Sequence, residues 1–368
     1  MNEILILIIV IQLTIFSLFL YSRKSTHKIQ HSLLASFFLC LAINLFNIFC
    51  FNSKQMFYNY THLLLIGAPF AFLYTPLFYF YVRSLTDEKF EFKVVDLLHT
   101  LPFALFTLYL MFAFYFHSAE EKRHFIINDS WWLTVVGLCF LNIQIVIYIT
   151  AILRCVKNYR NKIKNIYSSI DKINYSWLQF IFYGFLTLWL ADIIRYFTFL
   201  LEPYQLRLVE SIFFLGFLVL SYLILYKALT QPEIFKADEE FTQKKKKSLS
   251  DSVNQKYVEQ LTAYMENEKP FLDSSLTLFN LAEKTSIPAR SISEVINNSL
   301  NQNFYDFINS YRIKEAQTLL EDSSTGKKTI LEILYEVGFG TKSSFNQAFK
   351  KHTGKTPSQY KRQQGITP

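Results

Sequence analysis

Apolar residues fill the first 226 positions in long blocks, whereas later positions show short amphipathic periodicities. A helix of a soluble protein has an apolar stripe and a polar face, but a helix in a bilayer is apolar all round for about 20 residues. The blocks have that length and few charges. They predict an all-α fold that opens with seven transmembrane helices: Ile4–Tyr21, Ser32–Phe51, Thr61–Val82, Leu97–Phe116, Trp131–Leu153, Trp177–Leu201 and Gln205–Tyr226.

Two local features refine this topology. The first block follows Glu3 and lacks both the cationic start and the small-residue cleavage site of a signal peptide, so we expect a retained helix. The third block contains Pro69 and Pro76. Because proline lacks an N–H, we expect a kink there, with neighbouring helices covering the carbonyls left without a donor.

Loop charges predict the orientation of these helices. The loops after blocks one, three and five carry 12 Lys and Arg residues in total, whereas the opposite loops carry three, Lys54, Lys122 and Arg123. Positive loops stay in the cytoplasm. We therefore expect a multi-pass protein of the cell (inner) membrane, with the N-terminus outside and the C-terminal part cytoplasmic.

Ionisable residues in the last two blocks form a candidate site. Asp192 and Arg195 are three positions apart and share a helix face, as do Arg207 and Glu210, and Glu202 lies in the turn between the two blocks. Charges in lipid are costly and usually face a partner or a water-filled cavity. Two interpretations stay open: structural ion pairs that lock the two helices together, or part of an outward-facing signal site.

Composition changes after the last apolar block. Residues 1–226 carry 29 charged residues, 17 basic and 12 acidic, and residues 227–368 carry 37, 20 basic and 17 acidic. Residues 227–255 are polar and charge-dense, which predicts a linker. Its Lys244–Lys247 run is either a solvated spacer or a contact with lipid headgroups. The predicted domains are thus 1–226, the linker 227–255, and 256–368.

The first half of the last domain predicts a short helix, a turn and a second helix. Leu278, Leu281 and Ala282 give the first helix an apolar face, Ser286–Pro288 make the turn, and Val295 is among the residues anchoring the second helix. The polar residues on the other side of that second helix are candidate DNA contacts: Arg290, Ser291, Ser293 and Asn297.

The second half repeats this pattern after a long amphipathic helix, Phe304–Asp322. Thr329 to Glu332 match a capping box, and Gly338–Gly340 supply a turn. Phe345, Ala348 and Phe349 bury one face of the following helix. Thr341 also suits its N-cap. The remaining face carries candidate DNA contacts, in which Lys reaches guanine or phosphate and Asn or Gln pairs with adenine: Thr341, Lys342, Ser343, Asn346, Gln347 and Lys350.

These motifs resemble the AraC/XylS-type transcription regulators, above all in EVGFGTKSSFNQAFKKHTGKTPSQYK. The resemblance covers about the last quarter of the chain. It implies two helix-turn-helix subdomains joined by a rigid helix, binding to successive major grooves of promoter DNA, frequent dimerisation and a variable sensor domain. Three positions depart from the family pattern: Leu334 replaces a small residue, Ser286 a glycine and Pro288 a serine.

Together these patterns predict a membrane-bound, sequence-specific transcription regulator whose transmembrane part senses a signal. The expected partners are double-stranded promoter DNA, the lipid bilayer, a second copy in a homodimer, the transcription machinery and an unidentified signal. No phosphate loop, catalytic constellation or metal-ligand spacing occurs in the sequence, so we expect no enzyme activity, cofactor or metal. The alternatives are a transporter-like or passive anchor domain carrying a DNA-binding appendage.

Overall fold

The computed structural model describes residues 2–23, 28–87, 90–129, 131–169, 176–201, 206–230, 251–321 and 328–363. Within these ranges the chain is all-helical apart from turns and one isolated antiparallel bridge. It divides into two compact units, Met1–Val156 with Tyr175–Glu239, and Lys157–Asn174 with Glu240–Pro368. Residues 231–250, most of the predicted linker, lie outside the described residues.

Nine α-helices are described up to residue 230: α1 Asn2–Ser22, α2 Lys28–Asn52, α3 Lys54–Asn59, α4 Ala71–Thr86, α5 Leu101–Leu110, α6 Ala119–His124, α7 Trp131–Lys164, α8 Ser176–Leu201 and α9 Leu206–Thr230. By length and composition, five described segments could cross a membrane: Asn2–Ser22, Lys28–Asn52, Val94–Tyr115, Val135–Lys164 and Leu208–Tyr226. The seven-span arrangement stays a prediction.

The third predicted span differs most from expectation. Thr61–Leu63 form a 3₁₀ turn, Leu65 has a φ of 64°, and α4 begins only at Ala71. Proline disfavours a helical residue before it, so the helix starts beyond Pro69. With 16 residues, α4 is about 24 Å long at 1.5 Å per residue, less than a hydrocarbon core of about 30 Å. The prediction of one helix over Thr61–Val82 is therefore wrong.

Pro76 lies inside α4, where it removes the N–H that would bond to the Phe72 carbonyl. Gln144 of α7 supplies the missing donor: its Nε2 lies 2.8 Å from the Phe72 oxygen and 3.0 Å from Thr75 Oγ1. The expectation that a neighbouring helix satisfies the freed carbonyl is thereby confirmed.

Helix α1 is apolar on all sides although only one of its faces is packed. Its buried apolar residues follow a spacing of three or four: Ile6, Ile9, Leu13, Phe16 and Leu20. Equally apolar residues lie exposed on the opposite side: Ile4, Ile8, Ile11, Ile15 and Leu18. The packed stripe joins an aromatic core in which the ring centroid of Phe37 lies 5.2 Å from that of Phe78. A helix with this distribution suits an environment of lipid.

The second unit contains seven described helices besides the end of α7: α10 Asp251–Glu268, α11 Leu278–Thr285, α12 Ala289–Glu294, α13 Phe304–Glu321, α14 Ile330–Glu336, α15 Lys342–Thr353 and α16 Pro357–Gln363. Helix α13 contributes to two cores. Its first half, including Phe307, packs with α10 to α12, and its second half, including Leu320, packs with α14 and α15. The predicted bridging helix is thus confirmed as one continuous element.

Candidate nucleic-acid interface

The first helix pair consists of α11 and α12. Thr277 caps α11, since its hydroxyl accepts the Asn280 N–H at 3.1 Å. Ser286 ends the helix in the left-handed conformation, with a φ of 56°. This is the position where the AraC/XylS pattern has glycine, so the backbone demand is the same although the residue differs. Pro288 then precedes α12, which continues into a π-helical turn, Val295–Ser299.

The predicted contact residues of this pair do not share one exposed face. Asn297 is exposed, and Arg290 and Ser293 are half-buried, but Ser291 is only 6% exposed. Ser291 lies four positions before Val295, which is fully buried, and residues at that spacing share a helix face. The expectation that Ser291 lies on the exposed side is therefore wrong. Asn297 donates through Nδ2 to the Ser293 backbone oxygen at 2.8 Å.

The second helix pair consists of α14 and α15. The predicted capping box is confirmed: Thr329 Oγ1 accepts the Glu332 N–H at 3.2 Å, and Glu332 Oε2 accepts the Thr329 N–H at 2.6 Å. Gly338 makes the turn with a φ of 89°, and Thr341 caps α15 by accepting the Ser344 N–H at 3.2 Å. Gly354 ends α15 with a φ of 75°.

Helix α15 separates its polar face from its apolar face as predicted. Phe345, Ala348 and Phe349 are buried in the second core. The predicted contact residues are exposed, except Asn346, which is half-buried: Thr341, Lys342, Ser343, Asn346, Gln347 and Lys350. The helix therefore presents two cations and two amides on one side, the combination that reads guanine, adenine and phosphate.

Two basic residues in and after α15 already contact other parts of the protein. Lys351 Nζ lies 2.8 Å from Asp306 Oδ2 on α13, and Lys361 donates to the Lys328 carbonyl at 3.1 Å. Lys342 and Lys350, by contrast, form no ion pair with another described residue. These two lysines are therefore the cations of α15 that are available to an external anion.

The charges proposed as a signal site in the first unit form a bridge between α8 and α9. Arg195 Nη2 lies 2.8 Å from Asp192 Oδ1, and its Nη1 lies 3.6 Å from Glu210 Oε1. Asn2 of α1 joins them, since its Nδ2 lies 3.5 Å from Glu210 Oε2. The side chains of Glu202 and Arg207 lie outside the described residues. The bridge explains how these charges are accommodated, and whether they also bind a signal stays a prediction.

Sequence reasoning missed Arg312, a buried residue of the second unit. It is 0% exposed, in the middle of α13. Its guanidinium donates to the backbone oxygens of Phe271 (2.6 Å), Asp273 (2.8 Å) and Ser168 (3.0 Å). Every fourth residue of α13 is buried: Phe304, Ile308, Arg312, Ala316 and Leu320. This spacing was readable in the sequence and placed Arg312 in the buried stripe.

Known proteins match this chain in its C-terminal region. Residues 281–363 match the family model described as a helix-turn-helix domain. The chain is 30% identical over 114 residues to the Msm operon regulatory protein of Streptococcus mutans, a match that covers 31% of this chain and 39% of that protein. It is 27% identical over 106 residues to the melibiose operon regulatory protein of Escherichia coli K12, which covers 29% and 33%. No solved structure matches the chain.

A further relative is an uncharacterized HTH-type transcriptional regulator of Staphylococcus aureus, 30% identical over 109 residues, 30% of this chain and 14% of that protein. The chain thus covers less than half the length of each of these relatives. The matches support a DNA-binding regulator with an AraC-type helix-turn-helix domain in its C-terminal region.

Proposed function

We propose that the protein is a membrane-anchored transcription regulator, in which both helix pairs of the C-terminal unit bind promoter DNA and the apolar helices hold it at the membrane and sense a signal. The polar face of α15 carries the proposal, with exposed Lys342, Gln347 and Lys350 and half-buried Asn346 opposite the buried Phe345 side. A helix of this kind places its polar side chains in the major groove. The two pairs joined by α13 would then contact successive grooves.

The membrane part of the proposal rests on the outer faces of the apolar helices. Residues such as Ile4, Ile15 and Leu18 of α1 are more than 60% exposed although the helix carries no polar face. Water would penalise this surface at about 25 cal/mol per Å² of apolar area, whereas lipid would not. With the cytoplasmic side set by loop charge, the DNA-binding unit faces the chromosome. A reporter fused to residue 368 should therefore be active in the cytoplasm.

DNA binding is tested with the full-length protein in lipid nanodiscs. We expect binding sites selected from genomic fragments to show footprints over two consecutive major grooves per protomer. Lys350→Ala should reduce the slope of log affinity against log salt by about 0.9, because one phosphate contact and its released counterion are lost. If Lys350 reads a base instead, the loss will depend on the sequence of the site.

Lys351→Ala is the matched control, because it removes the same charge from the next position of α15. Lys351 pairs with Asp306, so we expect the salt slope to change much less. Equal effects of the two substitutions would show that general charge, and not the exposed face of α15, governs binding. A footprint over one groove would show that only one helix pair binds.

A passive anchor is the second candidate function, because the bridge between Arg195 and Glu210 satisfies charges that a signal site would otherwise use. The two are separated by Arg195→Gln in the full-length protein, because a fragment that starts at residue 227 would lack Lys157–Asn174 of the second compact unit. Regulation that persists unchanged in cells making this variant would favour the anchor. Loss of the response with retained DNA binding would favour sensing.

A further inference from the structure

The segment between the fifth and sixth predicted spans lies against the DNA-binding helices within the second compact unit. Lys157–Asn174 belongs to that unit, together with the C-terminal helices. Tyr167 forms an antiparallel bridge with Thr277, the N-cap residue of α11. Two backbone hydrogen bonds flank the bridge: Ser168 N–H donates to the Leu276 oxygen at 3.1 Å, and Leu278 N–H donates to the Ile166 oxygen at 2.8 Å.

The second of these bonds meets a requirement of α11. The first N–H groups of a helix have no partner inside it. Thr277 and Asn280 exchange cap hydrogen bonds, but Leu278, the first helical residue, needs an acceptor from elsewhere. The Ile166 carbonyl supplies it. The segment therefore completes the start of the first helix of the first helix pair.

Arg312 attaches the same segment to α13, the helix that connects the two helix pairs. Besides its bond to the Ser168 carbonyl, it donates through Nη2 to Ser168 Oγ at 3.2 Å, and Ser168 is 0% exposed. Lys164 also lies over the ring of Tyr305 on α13, with 5.6 Å from Nζ to the ring centroid. A buried guanidinium that loses hydrogen-bond acceptors carries a penalty larger than that of a neutral group. Removing the segment would thus leave donors on both α11 and α13 unsatisfied.

We propose that residues 157–169 are a docking segment that transmits the state of the membrane helices to the DNA-binding unit. Helix α7 ends at Lys164, inside this segment, and so connects the segment covalently to the fifth predicted span. Docking orders α11 and α13, and undocking loosens them and lowers DNA affinity. The inference rests on the proposed function, because it requires the C-terminal unit to bind DNA.

A pair of neighbouring serines tests the docking in the full-length protein. Ser168→Leu places a large side chain at a position that is fully buried, whereas Ser169 is half-buried. We expect Ser168→Leu to lower DNA affinity by about 5–150-fold, the usual range for coupled sites. Ser169→Leu should stay within about twofold. Hydrogen exchange of α11 should speed up in the first variant alone. Equal affinities in both variants would overturn the proposal.

A reversible cross-link tests it without disturbing the buried site. Tyr167 and Thr277 form a pair of the non-hydrogen-bonded kind, whose Cα atoms lie about 4.5 Å apart, within disulfide range. Tyr167→Cys with Thr277→Cys, with the four native cysteines replaced by alanine, should oxidise readily. Because Thr277→Cys also removes the N-cap of α11, exchange is compared between the oxidised and reduced forms of this variant, and α11 should exchange more slowly in the oxidised form. Failure of the cross-link to form would show that the segment does not dock. DNA binding of the reduced protein tests the proposed function separately, since docking can hold even if that binding is absent.

A second, independent observation concerns Lys122 of α6, on the side predicted to face outward. It is 3% exposed, its Nζ lies 2.8 Å from His62 Nδ1 and 5.3 Å from the centroid of the Phe114 ring, and burial lowers its pKa. No carboxylate of a described residue forms an ion pair with it. Buried charges are normally paired with a charge of the opposite sign.

Lys122 borders a cavity of about 520 Å³ whose other walls are mostly apolar. Its lining includes His62 and the rings of Phe70, Phe103 and Tyr115. We infer that it binds an amphipathic anion, with its carboxylate or phosphate on Lys122 and its apolar body against the aromatic rings. The anion could come from a free acid or from a lipid headgroup, and the two sources are separable by experiment.

Calorimetry on the full-length protein in nanodiscs of zwitterionic lipid separates them, with decanoate as the charged probe and decanol as its uncharged match. We expect decanoate to bind and Lys122→Gln to weaken it about tenfold or more, since a hydrogen bond to a charged group contributes about 1.5–3 kcal/mol. Lys54→Gln, an exposed cation on the same predicted side, should change binding less than about twofold.

Phosphatidylglycerol in the nanodisc is the second arm. If phosphatidylglycerol stabilises the protein, Lys122→Gln removes that stabilisation and decanoate does not bind, then the anion is a lipid headgroup. Equal binding of decanoate and decanol, with no lipid effect, would overturn the inference. An unchanged melting temperature of ligand-free Lys122→Gln is the check on folding.

Discussion

Replacing Gly338 by alanine should destabilise the second helix pair, whereas the same change at Gly340 should not. The turn between α14 and α15 contains both glycines, but only Gly338 has a positive φ, 89°. A Cβ added there would lie 2.6 Å from the Leu272 oxygen and 2.8 Å from the Phe271 oxygen, closer than real Cβ contacts. A Cβ on Gly340 would meet nothing within 4 Å.

The size of the effect follows from two separate costs. An L-residue in a left-handed conformation loses about 1–2 kcal/mol. Overpacking a tight contact costs about 1–3 kcal/mol. We therefore expect Gly338→Ala to lower the free energy of unfolding of this region by about 2–5 kcal/mol, a large part of the 5–15 kcal/mol typical of a domain. Gly340→Ala should range from no change to a gain of about 1 kcal/mol, because alanine restricts the unfolded chain.

Hydrogen exchange of the full-length protein measures this difference locally. A loss of 2 kcal/mol should speed exchange of the α14 and α15 amides about 30-fold, at a factor of ten per 1.4 kcal/mol. The amides of Phe271, Leu272 and the residues after them should respond as well, since these two residues carry the oxygens that a Cβ would displace. The reasoning is refuted if Gly338→Ala exchanges as slowly as Gly340→Ala.

Three further changes test other parts of the molecule. Thr341→Ala removes the N-cap of α15 and should destabilise that helix by about 1 kcal/mol, measured by exchange at its first turn, whereas Thr341→Ser should not. The Thr329 N–H and hydroxyl hold the pKa of Glu332 below its ordinary value. The stability that this carboxylate gives α14 is therefore present above about pH 4.5 and is lost as the pH falls through the lowered pKa. Glu332→Gln should remove this part of the pH dependence of exchange. Arg195→Gln leaves Glu210 without its cation and should lower the melting temperature of the protein in detergent, while Arg195→Lys should lower it less. A normal transcriptional response of Arg195→Gln at normal protein levels would exclude this bridge as the signal site.

Local sequence rules predicted the parts of the fold that depend on neighbours along the chain. Thr329 to Glu332 are a capping box because a spacing of three positions lets the Thr329 hydroxyl accept the Glu332 N–H while the Glu332 carboxylate accepts the Thr329 N–H. The exposed face of α15 follows in the same way from the spacing of Phe345, Ala348 and Phe349. Such features need no knowledge of what packs against the helix, so their prediction succeeded.

Features set by distant contacts were predicted poorly. Ser291 reads as polar and therefore exposed, but its position relative to Val295 places it on the packed side. The third apolar block reads as one span, yet a turn at Leu65 and the start of α4 at Ala71 divide it. The docking of Ser168 onto Arg312 joins positions 144 residues apart, and no periodicity reports a contact of that kind.

The carbonyls of Phe271 and Leu272 link these long-range contacts into one arrangement. The Phe271 oxygen accepts a hydrogen bond from Arg312 Nε at 2.6 Å, and both oxygens pack against Gly338 of the second helix pair. The same guanidinium holds Ser168 of the docking segment and lies 5.6 Å from the centroid of the Phe339 ring. A shift of the docking segment would therefore act on the turn of the second pair as well as on the start of α11. Groove reading by two helices depends on their relative placement, so under the proposed function this single buried arginine is the point at which one input acts on both helix pairs.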